Sequence, residues 1–224
     1  MNTVYTRLEY LFTPDEINKL KCAKVCVVGA GGVGGMAIEV LARSGIGTII
    51  VCDFDKVNIT NTNRQVIANI NNYDKPKTEC FKDFIYNINP DIKVITISER
   101  YDENSNLFDY EFDYLIDAID DINNKLLLIK KAIQTNKVFI SSMGTAKKLD
   151  STKLKVTEIS KTSYDPIAKI LRKKLRDEHI NDKVYVVSST EEVNSQIKLG
   201  SYMPVVATAG ILCADFIIKK IINK

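Results

Sequence analysis

Residues 25–35 read VCVVGAGGVGG, and residues 53–65 read DFDKVNITNTNRQ. In the first stretch an apolar run follows Lys24, and Lys24–Val28 has the pattern of a parallel strand covered on both faces. It breaks at Gly29 into a helix expected from about Gly34 to Arg43, where Ile38, Leu41 and Ala42 recur at helical spacing and Gly45 supplies a left-handed stop. Gly29, Gly31 and Gly34 therefore fit G-x-G-x-x-G between a strand and a helix, the setting that gives the motif its physics. Gly29 permits the tight turn, Gly31 and Gly32 open the backbone N–H groups to a phosphate, and Gly34 lets helix and strand pack closely. The helix N-terminus adds partial positive charge. Asp53, at the end of a second strand (Thr48–Cys52), is placed to accept from a ribose hydroxyl. The loop alone does not separate NAD from ATP.

Working outward, Thr13 and Pro14 cap a short helix over 14–21, and Pro76 precedes a helix with Phe81, Phe84, Ile85 and Ile88 on one face, closed by Asn89-Pro90. Strands are expected at Val94–Ile97, Tyr114–Ile116 and Val138–Ser141, with a helix at about Asn123–Thr135. Strand and helix alternate, so the fold class is α/β: a doubly wound, mostly parallel, Rossmann-like sheet with helices on both faces. After Gly144 the pattern changes. Two β-rich segments, Leu154–Ile159 and Val184–Val187, flank a helix at about Pro166–Glu178 and should extend the sheet in antiparallel sense. No linker or repeat intervenes, so residues 1–224 read as one domain, a nucleotide core (1–144) with a C-terminal lobe (145–224) on the substrate side.

Composition narrows the setting. A net charge of +3 on 224 residues excludes a uniformly basic nucleic-acid binder. The excess is local, because residues 147–183 hold eleven Lys/Arg against six Asp/Glu. Five scattered cysteines form no CxxC pair, so they read as buried free thiols of a reducing cytoplasm, without a zinc site. No secretory signal is evident at the start, and the apolar stretch Pro204–Ile218 contains Asp215 and falls short of the ~20 residues of a membrane span. A buried helix is expected there. The one histidine, His179, has no companion for a triad or metal site.

The second quoted stretch changes the reading. A hydride-transfer domain needs one acid here, whereas this chain follows Asp53 with Asp55, Asn61, Asn63 and Arg64. Asp53-x-Asp55-x-Val57-x-x-Thr60-Asn61-x-Asn63-Arg64-Gln65, together with Lys75-Pro76-Lys77 and Asp117-Ala118-Ile119-Asp120, closely resembles the ubiquitin-activating-like adenylating enzymes. That resemblance implies ATP and Mg2+: Arg64 and Lys77 on the phosphates, Asp120 serving the magnesium, and Arg7 lent to the ATP site of the other subunit in a homodimer. The chemistry agrees, since attack on the α-phosphorus builds charge on phosphate oxygens that Arg and Lys donors stabilise.

SSMGTAKKLD (141–150), KVTEISKTSYDPIAKILRKKLR (155–176) and VYVVSSTEE (184–192) resemble the tRNA threonylcarbamoyladenosine dehydratases within that superfamily. The resemblance implies ATP-dependent cyclisation of the threonylcarbamoyl group on adenosine 37 of tRNA. In the 166–178 helix, Ile167, Ile170, Leu171 and Leu175 form an apolar stripe, and Lys169, Arg172, Lys173 and Arg176 a basic one that could meet tRNA phosphates. The segment NSQIKLGSYMP after Glu192 is short for that family. A sulfur-relay partner protein is left open, as is dimerisation through the C-terminal apolar helix.

Two rivals remain at this stage. One is an enzyme that adenylates the C-terminal glycine of a ubiquitin-like sulfur carrier. Sulfur-carrier activators commonly add a zinc site of paired CxxC motifs, which this chain lacks, and an enzyme passing its acyl group to an internal thiol would have only Cys213 in the second half, in an apolar helix where it should be inert. The other is a non-catalytic adaptor, which would not need Arg64, Lys77 and Asp120. An NAD dehydrogenase gives no account of TNTNRQ.

Overall fold

The computed structural model describes residues 3–192 and 198–223. Seven strands in the described residues build one sheet: β1 (Lys24–Val28), β2 (Thr48–Cys52), β3 (Lys93–Ile97), β4 (Tyr114–Asp117), β5 (Val138–Ser142), β6 (Leu154–Glu158) and β7 (Tyr185–Ser189). Their order is β3-β2-β1-β4-β5-β7-β6. From β1 the chain winds outward through β2 and β3, then returns to β4 on the opposite side. The sheet thus reverses between β1 and β4, the switch point where such sheets open a crevice at their carboxyl ends. The antiparallel extension is met by β6 alone. β7 runs parallel to β5, with Ser141 opposite Val186 and Ser142 opposite Val187, and separates β5 from β6.

Alternating strand residues feed two layers. Val25, Val27, Ile49, Val51 and Ile116 face α1 (Pro14–Cys22), α2 (Gly32–Arg43), α3 (Lys77–Ile88) and α6 (Met203–Ile222). Cys26, Val28, Ile50 and Leu115 face the opposite way, toward α4 (Ile122–Gln134) and the 101–112 connection. A further apolar cluster joins α4 to α5 (Pro166–Asp177). Thr13 and Glu16 close a reciprocal capping box on α1.

The helix after the glycine loop starts at Gly32, ahead of the expected Gly34. That first turn packs closely on α6: a Cβ on Gly32 would lie 2.4 Å from Val206 Cγ1. Farther along the same crossing, a Cβ on Gly210 would meet Val33 O at 2.3 Å. Ten residues of α6 are buried inside their own chain, and its large exposed hydrophobic side chains are Met203 and Ile211. The apolar character that suggested dimerisation through this helix is thus largely used internally.

Three smaller expectations are corrected. Cys22, at the end of α1, is exposed, while Cys26, Cys52, Cys80 and Cys213 are buried. Ile159 leaves β6 and enters a 3-10 turn. On α5, Ala168, Leu171 and Leu175 are buried, but Ile170 is 42% exposed, turned outward beside Lys169.

Candidate functional site

A cavity of about 800 Å³ opens at the carboxyl ends of β1 and β4. One side is formed by Gly29, Gly31, Gly32, Asp53, Arg64 and Lys77; the other by Met143–Ala146, Ile167 and Leu199–Ser201. Residues from both halves of the sequence therefore face each other across one space.

The glycines divide their work. Gly29 sits at φ 89°, and a Cβ there would fall 2.6 Å from Ala118 O. Gly34 does not line the cavity; its missing Cβ would lie 1.8 Å from Gly29 O, so it serves the loop through packing. At Gly31 the nearest atom is Gln65 Nε2, at 3.7 Å. Gly31 is thus the open position, at the cap of α2, whose N-terminal N–H groups suit an anion.

Asp53 directly follows β2 and is 8% exposed. Its Oδ2 accepts from Ala30 N (2.7 Å) and its Oδ1 from Asp55 N (2.8 Å), so the carboxylate pins the glycine loop to the next turn. Burial pushes its carboxyl above the ordinary value, and the Lys77 ammonium at 3.7 Å pulls it partly back. Lys77 itself is 4% exposed and donates to Asp55 Oδ2 at 2.8 Å. A buried ammonium held by two carboxylates at a cavity wall is a preset cation for an incoming phosphate.

Asn61 and Asn58 close a small reciprocal cap on the 3-10 turn Ile59–Asn61. Arg64 Nη1 donates to Thr60 O (2.9 Å) and Asn63 Oδ1 (3.0 Å), which leaves the rest of its guanidinium without a protein partner among the described residues. Asn63 does not line the cavity. Its Nδ2 donates to Ser201 O at 3.0 Å, so it holds Arg64 and ties this turn to the segment before α6.

Asp120 is exposed, lines the cavity and has no protein partner among the described residues, whereas the neighbouring Asp121 caps α4. An unpartnered carboxylate on the cavity wall fits Mg2+, which takes one or two carboxylates and fills its shell from phosphates and water. Asp117 has a different task. It is fully buried, and its Oδ2 accepts from Lys125 Nζ (2.9 Å) and Ser141 Oγ (2.6 Å). Lys125 Nζ also donates to Ser142 O at 3.0 Å.

Arg7 is exposed, lies 5.7 Å from the Tyr10 ring centroid, and does not line this chain's cavity. On α5, Lys169, Lys173 and Arg176 are exposed, but Arg172 is turned inward: its Nη1 donates to Thr162 O (2.9 Å), Ile159 O and the Thr162 hydroxyl. The expected four-residue basic stripe is therefore three residues plus a staple. His179 follows α5 at φ 56° and is exposed. The NSQI part of the short segment after Glu192 lies outside the described residues.

Sequence reasoning missed several cavity residues. Arg100 stacks 4.1 Å over the Phe54 ring, and both line the cavity. Gln65, at 7% exposure, keeps a buried Oε1 without a hydrogen-bond partner among the described residues. Its place at the end of TNTNRQ was the only signal available.

Sheet order, glycine loop and the Asp53–Lys77–Arg64–Asp120 set meet at one cavity, the candidate site for a nucleotide. The chain belongs to the ThiF family, whose model matches residues 5–224. Its similar relatives are more particular. The tRNA threonylcarbamoyladenosine dehydratase of Bacillus subtilis is 43% identical over 189 residues, which cover 84% of this chain and 74% of that protein. The Haemophilus influenzae protein of the same name is 37% identical over 172 residues, 75% of this chain and 66% of that one. The crystal structure of E. coli TcdA, a tRNA N6-threonylcarbamoyladenosine dehydratase, in complex with ATP superposes with a TM-score of 0.92 at 32% identity, covering 98% of this chain and 93% of that one.

Proposed function

We propose that this protein is an ATP-dependent tRNA threonylcarbamoyladenosine dehydratase, closing the threonylcarbamoyl group of adenosine 37 into a ring. The observation that carries the reading is the shared cavity, in which the nucleotide-type set faces Met143–Ala146 and Ile167, from the stretches 141–150 and 155–176. The substrate's threonine carboxylate attacks the α-phosphorus of ATP, and the bond to the β-phosphate breaks to release pyrophosphate. The carbamoyl group of the same molecule then attacks the activated acyl carbon, loses a proton and expels AMP. Because the second nucleophile belongs to the substrate, no enzyme thiol is required. Cys213 fits this: burial pushes its thiol up to about 12. Proximity within one bound molecule supplies much of the rate.

Residue roles follow from placement. Asp53 holds the ribose, with Asp55 keeping Lys77 in place until phosphate arrives. Arg64 and Lys77 donate to phosphate oxygens as charge builds. Asp120 would hold Mg2+, which supplies charge neutralisation on the phosphates when bound. Lys169, Lys173 and Arg176 meet tRNA phosphates, so binding weakens steeply with salt. Arg7 serves the ATP site of a second copy in a homodimer, and the enzyme works in the cytoplasm as one adenylation unit. Among the described residues no helix is long and apolar enough to cross a membrane.

The test is incubation with ATP and a tRNA known to carry the modification, followed by nucleoside mass spectrometry. Loss of one water is expected, only with ATP present. An unchanged nucleoside sinks the proposal.

A further inference from the structure

The three family-specific stretches, 141–150, 155–176 and 184–192, converge on one buried cluster. Lys148 and Asp165 are 1% and 0% exposed at their side chains, with Nζ 3.6 Å from Oδ2. Ser188 Oγ donates to the same Oδ2 at 3.3 Å, and Asp165 Oδ1 accepts from Ala168 N at the start of α5. Lys148 Nζ has no hydrogen-bond partner among the described residues. Such a pair is a poor device for stability, since desolvation offsets much of its attraction and apolar side chains of similar volume often replace it without loss. Its position suggests another use.

Asp165 Oδ1 lies 3.7 Å, and Ile167 Cδ1 3.4 Å, from where a Cβ on Gly144 would stand; Gly144 and Ile167 both line the cavity. At the other end of the same wall, Lys125 grips Ser141 Oγ and Ser142 O while paired with Asp117. The span 143–147 thus hangs between two buried lysine–aspartate pairs. Met143 N donates to Val187 O and Lys147 N, at φ 61°, to Gly200 O. Both ends of the span are thus anchored.

We infer that the Lys148–Asp165 pair is a positioning device: it fixes the Gly144–Ala146 wall against the nucleotide side and so sets where the threonylcarbamoyl carboxylate lies relative to ATP. Neither side chain lines the cavity. The pair acts through Gly144 and Ile167, and it governs the acyl substrate, leaving the nucleotide alone. This rests on the dehydration proposed above, and displacing such a wall by about 1 Å can cost roughly 10²-fold in rate.

The test uses the full chain as wild type, Lys148→Met, and Lys148→Met with Asp165→Asn, the double variant leaving no stranded charge. Three quantities are read: Kd for ATP, kcat/KM for modified tRNA, and amide hydrogen exchange at 143–147 against 29–34. The expected result is an ATP Kd within about twofold of wild type and kcat/KM for tRNA down at least about tenfold, in line with the rate cost of misplacement. Faster exchange should be confined to 143–147. Unchanged kcat/KM and exchange in the double variant overturn the inference, as does an ATP Kd that weakens in proportion to kcat/KM. If wild type itself leaves modified tRNA unchanged, the dehydration reading falls, and the exchange pattern alone then decides whether the pair holds the wall.

Discussion

Lys125→Met removes the ammonium beneath the cavity while keeping an unbranched stem of similar length. The pair it breaks is 1% and 0% exposed, so Asp117 is left as a buried carboxylate. Removing one partner of such a pair costs about 3–5 kcal/mol. Two contacts survive, Ser141 Oγ at 2.6 Å and Ile119 N at 3.1 Å, while Ser142 O loses its donor. Those surviving donors place the loss at the lower end, about 3 kcal/mol. In a domain of this size each kcal/mol lowers Tm by about 2–4 °C, so the variant should melt about 6–12 °C below wild type. Circular dichroism melts, with urea titrations for the free energy, read this directly. Adding Asp117→Asn removes the stranded charge and should recover part of the loss. A Lys125→Met protein melting within about 2 °C of wild type, or a double variant less stable than the single, refutes the reasoning.

The glycines separate by steric room: Gly34→Ala should fail to fold, its Cβ falling 1.8 Å from Gly29 O, whereas Gly31→Ala should fold normally and lose ATP affinity by calorimetry. Equal behaviour of the two would contradict the division of roles. Asp53 carries a carboxyl held above its ordinary value, so its stabilising contribution is full below about pH 3.9, its unfolded value, and is lost as pH rises through the folded one. Urea titrations should therefore show the stability of Asp53→Asn relative to wild type rising with pH across that window and levelling above it; a pH-independent difference would exclude burial as the cause. Arg64→Ala should lower tRNA dehydration by about 10²–10³-fold at near-normal Tm, and full activity would favour a non-catalytic adaptor. Of the five cysteines, Cys22 alone is exposed, so native protein should give one fast thiol with Ellman's reagent and the other four only after denaturation.

The nucleotide half was legible because each signal there is local. An apolar run, a glycine turn and an acid at the next strand end each act within a few residues; β1 and β2 fall where those signals put them, and α2 begins only two residues early. The C-terminal half was less so. That β7 lies between β5 and β6 rests on pairings far apart in sequence, such as Ser141 with Val186, which no period in the sequence encodes. Lys148 stands in a basic tract and reads as solvated charge, and only the tertiary fold shows it sealed against Asp165. Arg172 fits a surface stripe equally well, until the turn at 159–162 offers it carbonyls. Charged side chains follow surface statistics in sequence, so those put to internal use are hidden from it.

The close crossing of α2 and α6 also sets an order of assembly on the ribosome. The sheet's strands are all synthesised before residues 203–222, yet Val206 of α6 is the side chain that rests on Gly32. A nascent chain that has finished β1 through β7 can seat α2 on the sheet and α3, but the part of α2 around Gly32 and Val33 that meets α6 stays bare until residues 203–222 are made. At about 5–20 residues per second this exposure lasts seconds, long enough for a chaperone to engage. The glycine loop is therefore made well before the helix that packs on Gly32.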